Sequence, residues 1–252
     1  MKKLNYLFGL LMLVLASVSV KAQSNNDEPR WLKHIDAGAA QIQVTYRPSK
    51  LDQLNTMLNN NGISSLSGNN VWINLSMNHI HKNWFFEDGI GISPLSTGRS
   101  ANGDLKAKYG QGQIFGRVGY GVSKSANYRV FPFVGLNLSD AMLKIQDNTR
   151  TQSTDDFSTE LLNSTSNKTF WDPNLGIEIG GGFDYLIKLK PKQVACYTVE
   201  RNIPIGIRMG YYLQVTSTKW KIDDYSLNNG PSQKQSNVFV SLNIGLGYQV
   251  RK

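Results

Sequence analysis

The chain has 252 residues, 40% of them hydrophobic, with a formal charge of +9 and one cysteine, Cys196. That length suits a single domain, and a lone cysteine excludes an intrachain disulfide or a multi-cysteine metal site. The positive balance does not indicate nucleic acid, because Lys and Arg are scattered and form no groove interleaved with aromatics.

Lys2 and Lys3 precede the apolar run Leu7 to Val20, and Val20-Lys21-Ala22 offers a small-residue cleavage site before Gln23. This is the layout of a secretory signal peptide. The run is too short for a confident membrane helix, and no later stretch approaches the roughly 20 apolar residues that one needs. No Cys follows it, so a lipid anchor at the mature N-terminus is not expected. Cleavage after Ala22 removes Lys2, Lys3 and Lys21, which leaves 230 residues and lowers the formal charge from +9 to +6.

Residues 23–37 read as a polar leader. Ile42, Val44 and Tyr46 then alternate with polar residues in a first strand that Pro48 stops. Leu51, Leu54 and Leu58 recur at helical spacing, and Asn60, Asn61 and Gly62 end the pattern. This short helix is expected to sit in a connection, outside any core. Val71, Ile73, Leu75 and Met77 mark the outward face of a second strand, and a tight turn near His81-Lys82 leads to a third. The alternation falters around Glu87 and Asp88, where a bulge is expected.

A hairpin follows the polar stretch Thr97 to Tyr109. Its arms carry Ile114, Val118 and Tyr120, then Tyr128, Val130, Pro132, Val134 and Leu136, outward. A short connection around Ser123-Lys124-Ser125 joins them. Pro132 weakens the second arm unless a bulge or a missing ladder bond absorbs it. Gln146 to Thr169 reads as a large exposed loop. Two long Gly-rich strands come next, one with Leu175, Ile177, Ile179, Phe183 and Tyr185 outward, the other with Ile205, Ile207, Met209, Tyr211 and Leu213. In the last strand Val238, Val240, Leu242, Ile244 and Leu246 oppose Phe239, Ser241, Asn243, Gly245 and Gly247.

The count is eight strands, near 38–47, 70–80, 83–93, 110–122, 127–144, 171–189, 202–219 and 235–250. An even number of alternating strands, apolar on one face and polar on the other, is the pattern of a closed barrel in a bacterial outer membrane. Long loops at 48–69, 94–109, 145–170 and 220–234 alternate with turns or an intermediate connection, so the long loops gather on one rim. The predicted fold is all-β: an eight-stranded up-and-down antiparallel transmembrane β-barrel over residues 38–252, with one short helix in the first long loop.

An interior this narrow holds side chains or one small ligand. Gly119, Gly121, Gly135, Gly176, Gly180, Gly182, Gly206, Gly210, Gly245 and Gly247 fall on the inward face, and their role is read as relief of crowding and curvature. Gly180-Gly181-Gly182 lacks the helix and Lys of a phosphate loop. Four inward charges lie away from the strand ends: Arg117, Glu178, Asp184 and Arg208. Charges in such a space need partners. Folding the sixth and seventh strands back on each other places Asp184 across from Arg208, and the four are read as a structural network in the lumen. Arg117 has no partner that the sequence alone identifies. The aromatics Tyr46, Trp84, Phe85, Phe86, Tyr109, Tyr120, Tyr128, Trp171, Tyr185, Tyr211, Trp220 and Tyr248 cluster toward segment ends, as two headgroup girdles require.

The residues point to no reaction. His34, His79 and His81 are the only histidines. His79 faces outward and His81 lies at a turn, which makes a metal site with Glu87 and Asp88 a poor prospect. Ser76 faces the opposite way from His79, so the nearest nucleophile and base are on different sides of the sheet.

The signal ending Val20-Lys21-Ala22-Gln23, the strands Leu175 to Gly180 and Ile205 to Tyr211, and the final run Val240 to Tyr248 together resemble the small outer-membrane β-barrel proteins of Bacteroidetes-type bacteria. The resemblance spans the mature chain but rests on patterns, and it carries over no catalytic residue. Such barrels often finish on an aromatic residue, whereas here Gln249-Val250-Arg251-Lys252 follow Tyr248. The expected function is a structural or surface-interaction barrel of the cell outer membrane, not an enzyme, with a largely filled lumen and no catalytic, metal or cofactor site. Its expected partners are outer-membrane lipids, the barrel assembly machinery and a surface ligand or envelope protein at the long loops, with no nucleic acid. The alternatives are a narrow pore or small-solute-binding barrel, a lipid-modifying envelope enzyme, and a soluble β-barrel carrying a hydrophobic molecule.

Overall fold

The computed structural model describes residues 36–123, 125–147, 167–194, 197–216, 219–223, 225–231 and 236–251. The expected signal peptide, nearly all of the leader, His34, Cys196 and most of the loop 145–170 lie outside them. In chain order the elements are β1 (Ala37–Tyr46), α1 (Asp52–Asn60), β2 (Val71–His81), β3 (Trp84–Ile92), β4 (Ser96–Arg99), β5 (Leu105–Tyr120) and β6 (Tyr128–Asp147). They continue as β7 (Lys168–Lys188), β8 (Lys192–Val194), β9 (Tyr197–Gln214), β10 (Lys221–Ile222), β11 (Tyr225–Ser226) and β12 (Asn237–Arg251).

Eight of these strands form the wall in the order β1-β2-β3-β5-β6-β7-β9-β12. The sheet closes because β12 pairs antiparallel with β1, from Ala37 opposite Gln249 to Tyr46 opposite Val240. The result is an eight-stranded closed antiparallel barrel with extra short strands and a single short helix. No helix among the described residues is long and apolar enough to cross a membrane; the strands do that work.

The alternation seen in the sequence sets the two faces. Directly paired residues share a face, so Ile42 lies between Ile244 and Leu75, and Val44 between Leu242 and Ile73. Ile42, Leu75, Leu136, Ile179, Met209 and Leu242 are each more than half exposed. A continuous apolar belt of this kind is untenable in water and is the lipid-facing band of a transmembrane barrel. Along β6 it runs from Tyr128 to Leu138, a height of about 25 Å for strands tilted as membrane barrels tilt them. Pairing around the closed wall satisfies the backbone groups that lipid could not. This is an outer-membrane β-barrel.

The connections sort by rim. Those after β2, β5 and β7 are short, and Lys82 takes a positive φ of 55° in the first of them. Those after β1, β3, β6 and β9 are long and mark the extracellular side. Both described ends of the barrel lie on the short-turn, periplasmic rim, where Ala37 meets Gln249 and Ile80.

The structure departs from the sequence reading in four places. First, β3 has no bulge: it stays in unbroken register with both neighbours, with Phe85 and Glu87 inward and Trp84, Phe86 and Asp88 outward. Second, α1 lies in the first long loop but is not peripheral, because Leu54 and Leu58 pack with Leu51, Ile63, Leu66, Tyr109, Leu143 and Trp220 in a buried cluster. Third, residues 105–109, expected in a loop, belong to β5, which with β6 carries the wall above the membrane. Fourth, Phe85, Tyr109 and Trp220 are buried inside and form no part of a girdle, unlike the exposed Tyr46, Trp84, Tyr120, Tyr128, Trp171, Tyr185 and Tyr211. Pro132 is accommodated by the second of the two expected means, a missing ladder bond: it stays in register with Gly181 of β7, and Val122 N–H donates to the Val130 carbonyl beyond the last β5–β6 pair, Gly119 with Phe133.

Candidate functional site in the barrel lumen

Inward positions of the eight strands build the lumen in layers. At the periplasmic end Phe85 stacks on Phe131, with ring centroids 4.1 Å apart. Both line a rim cavity of about 180 Å³, together with Asp36, Lys82, Arg129 and Leu186.

The next layer is an Arg–Asp fork. Arg208 Nη1 donates to Asp184 Oδ1 at 2.6 Å and Nη2 donates to Oδ2 at 3.1 Å. Asn243 Nδ2 donates to Asp184 Oδ1 at 3.2 Å, and Arg208 Nη1 also reaches Asn243 Oδ1 at 3.3 Å. The guanidinium lies 4.7 Å from the Phe131 ring centre and 5.6 Å from that of Phe85. The register pairs Arg208 with Gly182 and Asp184 with Gly206, so the two side chains meet diagonally and not directly opposite each other. Both glycines are needed for this. A Cβ on Gly206 would overlap Asp184 Oδ1 and the Phe183 carbonyl, and one on Gly182 would come within 2.9 Å of Arg208 Cδ.

Phe115, Phe133 and Phe239 separate that fork from a second charge cluster, their ring centres 4.3, 5.3 and 5.7 Å from the Arg117 guanidinium. Arg117 Nε donates to Glu178 Oε2 at 2.7 Å, and Nη1 donates to Glu87 Oε2 at 2.9 Å. Gln43 Nε2 donates to the other oxygen of Glu87 at 2.6 Å, and Asn137 Nδ2 to the other oxygen of Glu178 at 2.9 Å. Amides carry the network further: Asn137 to Gln113, Gln113 to Asn74, Asn74 to Thr45 and Thr45 to Ser241.

Arg47 lies above, sandwiched 4.4 Å from the ring centres of Trp72 and Tyr212, with Nη1 3.8 Å from Glu178 Oε1. Ser49, Asn70, Gln111 and Tyr109 then form a polar layer beneath the leucines of α1.

Three buried guanidiniums, Arg47, Arg117 and Arg208, therefore face three buried carboxylates, Glu87, Glu178 and Asp184. The structure brings the four sequence-predicted residues into two clusters: Asp184 with Arg208, and Glu178 with Arg117. It adds two charges that sequence reasoning left out of the lumen. Glu87 was hidden by the misread alternation of the third strand, although Trp84, Phe86, Ile90 and Ile92 share one parity and leave Glu87 on the other. Arg47 was treated as a strand end before Pro48; its inward position follows from continuing Gln43 and Thr45 by two residues. Asn243, Gln43 and Asn137 carried no signal beyond being polar on the inward face.

This arrangement offers little to a reaction. Each carboxylate accepts hydrogen bonds from a guanidinium or amide. Ser76 Oγ is hydrogen-bonded to Gln43 and Glu87, not to a histidine. Glu87 points into the lumen, away from the outward His79, and the rim histidine His81 lies 3.6 Å from Asp36. Among the described residues no group of three or more His, Cys, Asp or Glu could hold a metal ion.

No protein-family model matches the chain, and no curated protein sequence matches it. Solved structures do. Neisserial surface protein A is 13% identical with a TM-score of 0.35, the match covering 86% of this chain and 96% of that one. A major outer membrane protein from Thermus thermophilus is 9% identical with a TM-score of 0.39, covering 84% of this chain and 98% of that one. The outer membrane protein OprG from Pseudomonas aeruginosa is 12% identical with a TM-score of 0.36, covering 85% of this chain and 96% of that one.

Proposed function

We propose that this outer-membrane barrel is a structural or surface-interaction protein with a filled, non-conducting lumen, of the small Bacteroidetes-type kind its sequence resembles. One observation carries the reading. From the Phe85–Phe131 stack to the leucines of α1, successive ion-paired and aromatic layers of inward side chains that hold one another support it. Opening a path would separate buried ion pairs, and an unpaired buried charge costs several kcal/mol. The same pairing withdraws Glu87, Glu178 and Asp184 from acid–base work, which supports a non-enzymatic role. Surface partners are left to the long extracellular loops, as loops on a rigid scaffold usually carry recognition.

The test is conductance of the purified full-length protein in planar bilayers. The expected result is a current no greater than that of the bare bilayer across the voltage range. Reproducible single-channel steps would overturn the proposal and favour the narrow pore.

A further inference from the structure

Above the apolar belt, the outer face of the extended wall collects cations. Its rows follow from the strand register. The row nearest the membrane is Gly110, Met142, Trp171 and Lys221; the next is Thr97, Lys108, Lys144 and Thr169; the third is Arg99, Lys106 and Gln146. Inward neighbours Gly98, Ala107, Tyr109 and Leu143 are buried, and all but Gly98 belong to the α1 cluster, so Arg99, Lys106, Lys108 and Lys144 face outward.

Two of the direct cross-strand pairs on this face are like-charged: Lys108 with Lys144, and Arg99 with Lys106. Side chains so paired lie about 5 Å apart and destabilise the sheet when they carry the same sign. That separation is shorter than the screening length of physiological salt. Among the described residues no ion pair is recorded for these four side chains. Among the described residues acids flank the patch along the strands: Asp104 is two residues before Lys106 at the outer end, and Asp140, toward the belt between Gly112 and Pro173, interacts with Lys221.

We infer that this patch binds the phosphate groups of anionic lipids in the outer leaflet. Three features fit that occupant. The cations begin two rows beyond the last aliphatic row, Ile114, Leu138 and Leu175, with Lys221 beside Trp171 and the Lys108–Lys144 pair in the row after it. Trp171, 41% exposed, lies at the boundary, the depth at which amphipathic rings anchor to headgroups. A phosphate between Lys108 and Lys144 would turn a repulsive pair into a bridged one and would be held by charge-assisted hydrogen bonds. The site rests on the membrane assignment and is independent of whether the lumen conducts.

The full-length protein, stripped of lipid in dodecylmaltoside, is titrated by native mass spectrometry with an acylated disaccharide bearing two phosphates. The same lipid after enzymatic dephosphorylation and inorganic phosphate form the comparison arms. Basic residues at a headgroup layer contribute roughly fivefold each to anionic-lipid binding, so Lys108→Gln/Lys144→Gln is expected to weaken binding about 25-fold. Lys108→Arg/Lys144→Arg is expected to retain it. Lys188→Gln/Lys192→Gln, at the opposite rim, is expected to change it less than twofold. Equal binding of the dephosphorylated lipid, an unaffected Lys108→Gln/Lys144→Gln variant, or an opposite-rim variant weakened to the same degree would overturn the inference. Inorganic phosphate displacing the lipid at equal concentration would overturn the lipid source and leave a free-phosphate site.

Discussion

The Arg208–Asp184 fork is the cleanest place to measure what the lumen charges contribute, because Arg117 divides its bonds between two acids and this pair does not. Both side chains are 0% exposed. Asp184→Ala removes both oxygens of the fork and leaves Arg208 with Asn243 Oδ1 at 3.3 Å and backbone carbonyls of Ile207 and Phe183 at 3.3 and 3.5 Å. An uncompensated buried charge typically costs about 3–5 kcal/mol, and these residual acceptors put the expected loss at about 3 kcal/mol. Arg208→Met should cost somewhat less, because Asp184 keeps the Asn243 amide and the charge of Arg129 across the β6–β7 ladder. The double variant removes both charges and should cost less than either single one, giving a coupling energy of about 3 kcal/mol or more. Reversible urea unfolding in lipid vesicles measures all four corners of the cycle. Because the pair is shielded from water, the coupling should change little with salt. A coupling indistinguishable from zero would refute the argument that the fork holds this part of the lumen together.

Ile244→Arg, in the middle of β12 on the lipid face, should cost about 2–4 kcal/mol of insertion free energy, read as the folded fraction in vesicles; tolerance equal to that of Met57→Arg on exposed α1 would mean the faces are reversed. Inward Asn243→Ser removes a donor to Asp184 and should cost about 1 kcal/mol in the same unfolding assay. Gly206→Ala should cost about 1–3 kcal/mol by overpacking, whereas Gly112→Ala, with nothing within 4 Å of an added Cβ, should be neutral; equal effects would show that the close approach to Asp184 is not limiting. Leu58→Ala should lose about 2–5 kcal/mol of local packing, exposing 47–70 to limited proteolysis while the membrane-embedded strands stay protected, and uniform cleavage across the barrel would count against a separable cap.

The outer face was legible because membrane strands write it twice, once in each partner. Ile42, Leu75 and Ile244 alternate with polar residues along their own strands and also meet one another across the ladder. The Asp184–Arg208 juxtaposition was visible for a related reason: the two strands join through a connection short enough to limit the register. Glu87 was lost because Phe85 and Phe86 are both large and aromatic, so hydropathy cannot say which one faces lipid. The register with β2 and β5 resolves it, and that is tertiary information. The burial of α1 escaped for a different reason. Its apolar stripe shows that it must cover something, but Ala107, Tyr109 and Leu143 become its partners only once β5 and β6 extend past the membrane. The three-layer stack of arginines was likewise beyond the sequence, since its aromatic spacers come from β3, β5, β6 and β12, whose vertical order depends on barrel stagger.

The seam between β1 and β12 has a consequence for how the molecule comes into being. Its first and last strands are mutual neighbours, so the ladder joining Ala37–Tyr46 to Val240–Gln249 cannot form until the whole chain has been delivered. Until then two strand edges carry unpaired backbone groups, which a bilayer penalises at every rung. Loss of β12 would thus not leave a smaller barrel. It would leave an open sheet with two sticky margins, and quality control at the membrane needs only to recognise that the circle has not been joined.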